Sequence, residues 1–262
     1  MTADGAHYFT ALGGGRYRPT EHTQGAWRPD EQHVAPVIGL LLHVLELEHP
    51  RADLQWARVS VDILGVIGRD EMHVTTQVLR PGRTIELVQA EVEIGGRAAV
   101  RVTAWRLQRA ESPELAGAEA DPMPPPEQTP AWDGMLHWGG GFIASAQFRS
   151  HGNTPGRGRT WARAPLPLVD TEPVSGLAQW AAVLDTANGS APLRDPREWM
   201  FANVDLTLHL HRLPEGDWTG LDTRVTWGPD GVGLTSSVVH DMRGPVGTLE
   251  QALTVRMIRD RP

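Results

Sequence analysis

The order of helix-like and strand-like segments occurs twice along this 262-residue chain, and this repetition constrains the fold more than any other feature. In each half, one apolar segment of helical length precedes four strand-like segments. The helix-like segments are His33 to Leu47 and Val174 to Asn188. The strand-like segments are 54–67, 72–79, 84–94 and 98–107 in the first half, and 199–211, 218–227, 234–241 and 246–258 in the second. Each half therefore predicts one helix followed by an antiparallel meander.

Local signals around the two helix-like segments support this division. The first is apolar nearly all round, as expected of a helix that is buried on most sides, and Asp30 and Glu31 stand where they can cap its start. Asp170 and Thr171 offer an N-cap to the second segment, and Gly189 offers it a C-cap.

The segment between the halves, AESPELAGAEADPMPPPEQTP at 110–130, is rich in proline, alanine and acidic residues and has no hydrophobic periodicity. It predicts a linker between units 1–109 and 131–262. A buried helix wrapped by an antiparallel meander is the plan of the hotdog fold. The sequence thus predicts an α+β double hotdog, two tandem units each with a long central helix wrapped by an antiparallel sheet. Two unrelated α+β domains are the alternative, because a shared order of elements is weaker evidence than repeated sequence.

Several residue types and motifs are absent, and their absence excludes whole classes of chemistry. The chain has no cysteine, so it has no disulfide, thiolate nucleophile or cysteine-type zinc site. All 24 basic residues are arginine, which excludes a Schiff-base lysine. There is no Gly-x-Ser-x-Gly motif for a serine hydrolase of the α/β type. The net charge of −8 argues against a nucleic-acid partner.

The beginning of the chain, MTADGAHYFTALGGG, has neither the charged region nor the apolar core of a secretory signal. The longest apolar run, Val34 to Leu47, is too short to span a bilayer. We therefore expect a cytoplasmic protein without a membrane span.

Three stretches in the last quarter of the chain have a more specific pattern. They are WMFANVDLTLHLHRLPEGDW at 199–218, DTRVTWGPDGVGLTSSVVHDMRG at 222–244 and GTLEQALTVR at 247–256. Together they resemble the acyl-CoA thioesterase II-like double-hotdog family, in which an Asp, a Thr and a Gln occur in this order. Asp205, Thr226 and Gln251 occupy those places. AVLDTANG at 182–189 also resembles the family's second-helix segment with its Asp, here Asp185.

The resemblance implies an enzyme that hydrolyses fatty-acyl-CoA to the free acid and CoA without a cofactor. A thioester needs no covalent intermediate, because the thiolate is already a good leaving group. Asp205 would act as general base or orient the water, and Thr226 and Gln251 would hold the same water. Backbone N–H groups at a helix N-terminus, around Asp30 to His33, would polarise the carbonyl.

The residues themselves support these three assignments unequally. Strand alternation places Gln251 on the same face as Leu249 and Leu253. A Gln side chain on such an apolar face must find hydrogen-bond partners, or it destabilises the fold by about 1–3 kcal/mol. This favours a functional or network role. Asp205 lies on a polar strand face, which is either the wall of a site or the solvent side of the sheet. Thr226 is a residue that strands commonly contain.

Other functions remain open from the residues. The first is a non-catalytic hotdog protein that binds an acyl-thioester, carried either by CoA or by another carrier. The second is a hotdog of the enoyl-CoA hydratase type, for which Asp30 and His33 would supply an Asp–His pair. His209, His211 and His240 resemble a zinc set, but strand histidines commonly face solvent, so we expect no metal. Because hotdog sheets expose strand edges and faces, we also expect a homo-oligomer.

Overall fold

The structure is a computed structural model that describes residues 5–118 and 120–258. The expected domain and linker bounds also include residues 1–4, 119 and 259–262, which lie outside the described residues. The first half contains helix α1, Val34–Glu48, and six strands. These strands are β1 Phe9–Gly13, β2 Arg16–Pro19, β3 Leu54–Ile63, β4 Met72–Arg80, β5 Ile85–Ile94 and β6 Arg97–Gln108.

The second half has three short helices in place of one long helix: α2 Gly141–Ser145, α3 Gly176–Ala181 and α4 Thr186–Ser190. Its strands are β7 Gln147–Arg149, β8 Arg157–Arg163, β9 Trp199–Met200, β10 Asp205–Leu210, β11 Thr219–Trp227, β12 Val232–Asp241, β13 Gly244–Thr254 and β14 Arg256–Met257. Single 3-10 turns lie at Glu21–Thr23, Pro113–Leu115 and Pro126–Gln128. None of the described helices is long and apolar enough to cross a membrane.

Twelve of the described strands form one antiparallel sheet in the order β1-β2-β4-β5-β6-β3-β10-β13-β12-β11-β8-β7. The remaining two strands, β9 and β14, pair with each other. Counted from its outer edge inward, each half contributes its strands to the large sheet in the same order. The halves meet where β3 pairs with β10, with Ser60 opposite Thr207 and their hydroxyl oxygens 3.1 Å apart. The molecule is the α+β double hotdog that the sequence predicts.

Helix α1 forms the centre of the core. Its residues from Val34 to Leu45 are all buried, which agrees with the prediction of a helix enclosed on most sides. It packs closely on α3 at Gly39, where an added Cβ would lie 2.8 Å from the carbonyl oxygen of Ala178 and 2.9 Å from the Cβ of Ala182. Only glycine allows the two helices to approach this closely.

The caps of α1 and α3 differ from the sequence prediction. His33, not Asp30 or Glu31, caps α1: its Nδ1 accepts from the N–H of Ala35 at 3.2 Å. Ser175 caps α3 through its hydroxyl oxygen, which accepts from Ala178. Asp170 instead accepts from the N–H of Ala11 at 3.0 Å and ties β1 to the second half.

The expected helix Val174 to Asn188 is interrupted between Ala181 and Thr186. There the N–H groups of residues 184, 186 and 187 bond to carbonyls three residues earlier, and the Thr186 hydroxyl donates to Val183 O at 2.7 Å. A side-chain hydroxyl that donates to a backbone carbonyl competes with the N–H group that would bond to that carbonyl in a regular helix. Gly189 lies inside α4, and Ala191 is the C-cap. The interruption places Asp185 at the start of α4.

The later part of segment 110–130 contacts the second unit. Met123 is buried against Trp161 and Trp218, and the indole of Trp161 donates to Pro124 O at 2.8 Å. The domain bounds of the sequence analysis stay a prediction, and these contacts associate residues 123 and 124 with the second half.

Candidate active site

An open pocket of about 760 Å³, including its solvent-exposed mouth, lies between the start of α1 and the start of α4. His33 and Val34 line it from the first half, and Asp185 and Asn203 line it from the second. The pocket is therefore built by both units, and the interruption of the second helix brings a carboxyl group into it.

Asp185 is the centre of a hydrogen-bonded group in this pocket. Its Oδ1 accepts from Asn203 Nδ2 at 2.7 Å and from Gln251 Nε2 at 2.9 Å. Its Oδ2 lies 3.6 Å from His33 Nδ1, which is beyond hydrogen-bond distance. The carboxyl group is nearly buried, since only 9% of the residue is exposed.

Burial dominates the protonation of Asp185 and His33. It raises the pKa of Asp185 to about 7, although the bonds from Asn203 and Gln251 act in the opposite direction. Burial also lowers the pKa of His33 to about 4. At neutral pH the imidazole is uncharged, and its Nδ1 is free to accept the bond that caps α1. The Asp185 carboxyl is then close to half ionised, the state in which a group exchanges protons most readily.

The two amides are positioned by the sheet. Gln251 is fully buried on β13, on the same face as Leu249 and Leu253, and this burial agrees with the strand alternation in the sequence. Asn203 precedes β10 and also donates to the carbonyl oxygen of Asp205 at 3.0 Å. Because each amide nitrogen donates to an oxygen, the assignment of oxygen and nitrogen in both amides follows from their partners.

The start of α1, which lines the same pocket, has a backbone donor without a partner among the described residues. The N–H groups of Gln32 and His33 bond to Ile67 O at 2.7 Å and to Thr23 O at 2.8 Å. Val34 is the first residue of α1, where an N–H has no partner within the helix. No acceptor in residues 5–118 and 120–258 bonds to the Val34 N–H. The free donor is therefore one residue beyond the segment Asp30 to His33 that the sequence analysis favours.

The structure brings only one of the three sequence-predicted catalytic residues into this group. Gln251 contacts Asp185. Asp205 starts β10 on the opposite face of the sheet, beside Thr207, and its Oδ1 accepts from the N–H of Ala252 at 2.6 Å. Thr226 is exposed on β11 opposite Leu234. Catalytic roles for Asp205 and Thr226 stay predictions, and the geometry favours Asp185 and Asn203 as the partners of Gln251.

The sequence contained a signal for one of the two additional residues. Asp185 stands in the apolar run WAAVLDTA at 180–187, where an acidic residue needs buried partners. Asn203 shares strand parity with Asp205, so alternation assigns it to the polar face. Its pairing with Leu253 is shifted by one residue from the register in which β10 pairs with β13, and its side chain lies on the side of Asp185.

A cluster of three aromatic rings lies beside the pocket, and two of them, Trp27 and Trp138, line it. The rings of Trp27, Trp138 and Phe201 contact one another edge to face, with centroids 5.0, 5.5 and 5.6 Å apart. The Trp138 indole donates to Gly189 O at 3.0 Å, which fixes the wall to α4. We call these three residues the aromatic wall.

The histidines considered for zinc do not meet in this pocket. His209 is exposed on β10 and His240 is buried on β12. Within the described part of the chain, no three His, Asp or Glu side chains are arranged to hold a metal ion.

Two family models match the sequence. The acyl-CoA thioesterase N-terminal domain matches residues 23–107, and the acyl-CoA thioesterase C-terminal domain matches residues 113–255. None of the curated proteins matches significantly.

Solved structures with the same architecture cover nearly the whole chain. A conserved protein of unknown function with a hot dog fold from Alicyclobacillus acidocaldarius aligns with a TM-score of 0.73 and 17% identity, over 98% of both chains. An acyl-CoA thioesterase II from Mycobacterium marinum aligns with a TM-score of 0.68 and 17% identity, over 95% of this chain and 96% of its own. At such identities the similarity shows the fold.

Proposed function

Because the chain belongs to the acyl-CoA thioesterase family, we propose that it hydrolyses an acyl-CoA to the free acid and CoA in the pocket around Asp185. The observation that carries this proposal is the buried carboxyl of Asp185, held by the amides of Asn203 and Gln251 in a pocket that Val34, with its free N–H, also lines. A base and a carbonyl-polarising donor in one pocket are the two groups that thioester hydrolysis requires.

The chemistry follows from these positions. The ionised Asp185 takes a proton from a water molecule while the water oxygen attacks the thioester carbonyl carbon. The carbonyl oxygen gains the negative charge and is stabilised by the N–H of Val34 and by the positive end of α1. As the tetrahedral intermediate collapses, the carbon–sulfur bond breaks, CoA leaves as the thiolate and the acid is released. The proton held by Asp185 then passes to the thiolate or to solvent, which regenerates the carboxylate. Asn203 and Gln251 hold the carboxyl in place through its Oδ1, so that Oδ2 faces the water.

The protonation of the pocket suits this reaction. The pKa of Asp185, near 7, makes the carboxylate a stronger base than an exposed aspartate while much of it remains ionised at neutral pH. His33 is neutral under the same conditions and therefore adds no charge near the carboxylate.

One observation favours a second function, a hydratase or dehydratase acting on an enoyl or hydroxyacyl thioester. An imidazole and a carboxyl group, from His33 and Asp185, face the same pocket 3.6 Å apart. Asp30, the partner that the sequence suggested for His33, is instead exposed and pairs with Arg28 at 2.7 Å. Since His33 Nδ1 already caps α1, its ability to exchange protons is limited to Nε2.

Thiol release from a panel of acyl-CoAs tests the proposal directly, and loss of absorbance by enoyl-CoA tests the alternative. Hydrolysis by the wild type that disappears in Asp185→Asn supports the proposal. Hydration without thiol release would favour the hydratase. Failure of the protein to turn over any thioester, combined with binding of the acyl-CoA, would favour the non-catalytic binding protein.

The homo-oligomer stays a proposal of the sequence analysis. The outermost strands of the sheet, β1 and β7, are only five and three residues long, so they offer little backbone for pairing between copies. Light scattering at several protein concentrations tests whether copies associate, and a monomer throughout would contradict the expectation.

A further inference from the structure

The aromatic wall lies close to Asp185 along α4. Trp138 bonds to the carbonyl of Gly189, four residues after Asp185. An added Cβ on Gly189 would lie 3.1 Å from the Trp138 indole nitrogen and 3.3 Å from the Met135 methyl group, so both side chains pack directly on the helix backbone. Four residues of helix rise ~6 Å. An acyl chain that starts at Asp185 and follows α4 therefore meets the wall after about one helical turn.

The wall is itself backed by packed side chains. Phe201 is fully buried and contacts the ring of Trp227 at a centroid distance of 5.4 Å. The carbonyl oxygen of Phe201 accepts from Asn188 Nδ2 at 2.9 Å, which ties the wall to α4 a second time. A chain could pass only by separating rings that are fixed on several sides.

The space between α1 and the sheet is also filled. Val37, Ile38 and Leu41 are fully buried in the core around α1. Interiors are packed to the density of organic crystals, so a long alkyl chain would have to displace these side chains.

From these two barriers we propose that the pocket accepts short acyl groups, of about six carbons or fewer, and excludes long-chain acyl groups. An extended alkyl chain with bonds of about 1.5 Å advances ~1.25 Å per bond, so ~6 Å holds about five bonds. This inference rests on the proposed function for the position of the thioester, and it narrows the fatty-acyl substrate that the sequence resemblance implies. Trp138 is the specificity-determining residue, because it both lines the pocket and is hydrogen-bonded to α4.

The test compares kcat/KM for butanoyl-, hexanoyl-, dodecanoyl- and hexadecanoyl-CoA in wild type, Trp138→Ala and Trp132→Ala. Trp132 belongs to the same segment but does not line the pocket, so its variant is a matched control for loss of an indole. We expect the wild type to prefer the short substrates. Trp138→Ala should raise the ratio of dodecanoyl to butanoyl turnover by about tenfold or more, in line with the discrimination that single methylenes provide. Trp132→Ala should leave this ratio unchanged.

A binding measurement separates this inference from the proposed function. Non-hydrolysable 2-oxoalkyl-CoA thioethers with short and long chains can be titrated calorimetrically into the same three proteins. If no thioester is hydrolysed, the proposed function fails. The pocket assignment is still supported if the wild type binds only the short analogue tightly and Trp138→Ala also binds the long one. The inference would be overturned if the wild type bound or turned over the long-chain compounds as well as the short ones or better, and if Trp138→Ala had no effect.

Discussion

Gln251 Nε2 donates to Asp185 Oδ1 at 2.9 Å, and this bond joins β13 to the interruption between α3 and α4. A fully buried amide on an apolar strand face therefore has a carboxyl partner. The bond also explains how a carboxyl group is kept in place where most of its hydration is lost.

We expect Asp185→Asn to reduce kcat by about 10²-fold or more, because the amide cannot take a proton from water. The matched variant is Asp205→Asn, which keeps an oxygen that can accept from Ala252 N–H. It should retain most of the activity. Circular dichroism checks that both proteins are folded. Loss of activity in Asp205→Asn alone would restore the assignment suggested by the sequence.

The rate should depend on pH through Asp185. Since the reaction needs the ionised carboxyl, kcat/KM should rise about tenfold per pH unit below a midpoint near 7 and level off above it. His33, whose pKa is about 4, should add no further step between pH 5 and 9. A midpoint near 4 would mean that another carboxyl group is the base.

The free energy of unfolding should also depend on the protonation of Asp185, but in the opposite sense, because the protonated carboxyl favours the folded state. The pKa of Asp185 is about 7 in the folded protein and near 3.8 when unfolded, so between these values the folded state binds more protons than the unfolded state. The free energy of unfolding therefore falls as pH rises through this window, and the loss is complete above pH 7. Urea unfolding at pH 5 and pH 8 should show that Asp185→Asn removes this part of the pH dependence. An unchanged dependence would contradict the raised pKa.

Val34→Pro should lower kcat by about 10²–10³-fold, because it removes the N–H to which we assign carbonyl polarisation at the start of α1. Proline is tolerated at the first position of a helix, and His33 already has the extended backbone, φ −71° and ψ 134°, that a residue before proline adopts. Val34→Ala keeps the N–H and is the control. If the two variants have equal activity, the carbonyl is polarised elsewhere.

Gly39→Ala should lower the free energy of unfolding by about 1–3 kcal/mol, because its methyl group would meet the backbone of α3 at Ala178. Gly176 is also in a helix, but an added Cβ there would have no atom within 4 Å beyond its own helix backbone and chain neighbours. Gly176→Ala should be neutral or stabilise by up to ~1 kcal/mol through helix propensity. Urea unfolding of both variants measures the difference, and equal stabilities would show that α1 and α3 can separate without cost.

The sequence predicted the architecture well, because periodicity and element order depend on local chemistry. The burial of α1 and the burial of Gln251 both follow from which neighbours in sequence are apolar. The partners of Gln251 do not follow, because they depend on where β10 starts its regular pairing and on where the second helix breaks. Alternation alone therefore groups Asn203 with Asp205 on one strand face and gives no reason to prefer Asp185 to Asp205.

Because the two units meet where β3 pairs with β10, we expect thioester hydrolysis to measure whether the units are assembled. His33 and Val34 come from one unit and Asp185, Asn203 and Gln251 from the other, so neither unit alone holds both the base and the free N–H. Two fragments produced by cutting the chain within segment 110–130 should turn over substrate only when they are mixed and β3 pairs with β10 again. A colour change from released thiol would then measure how tightly the two halves associate.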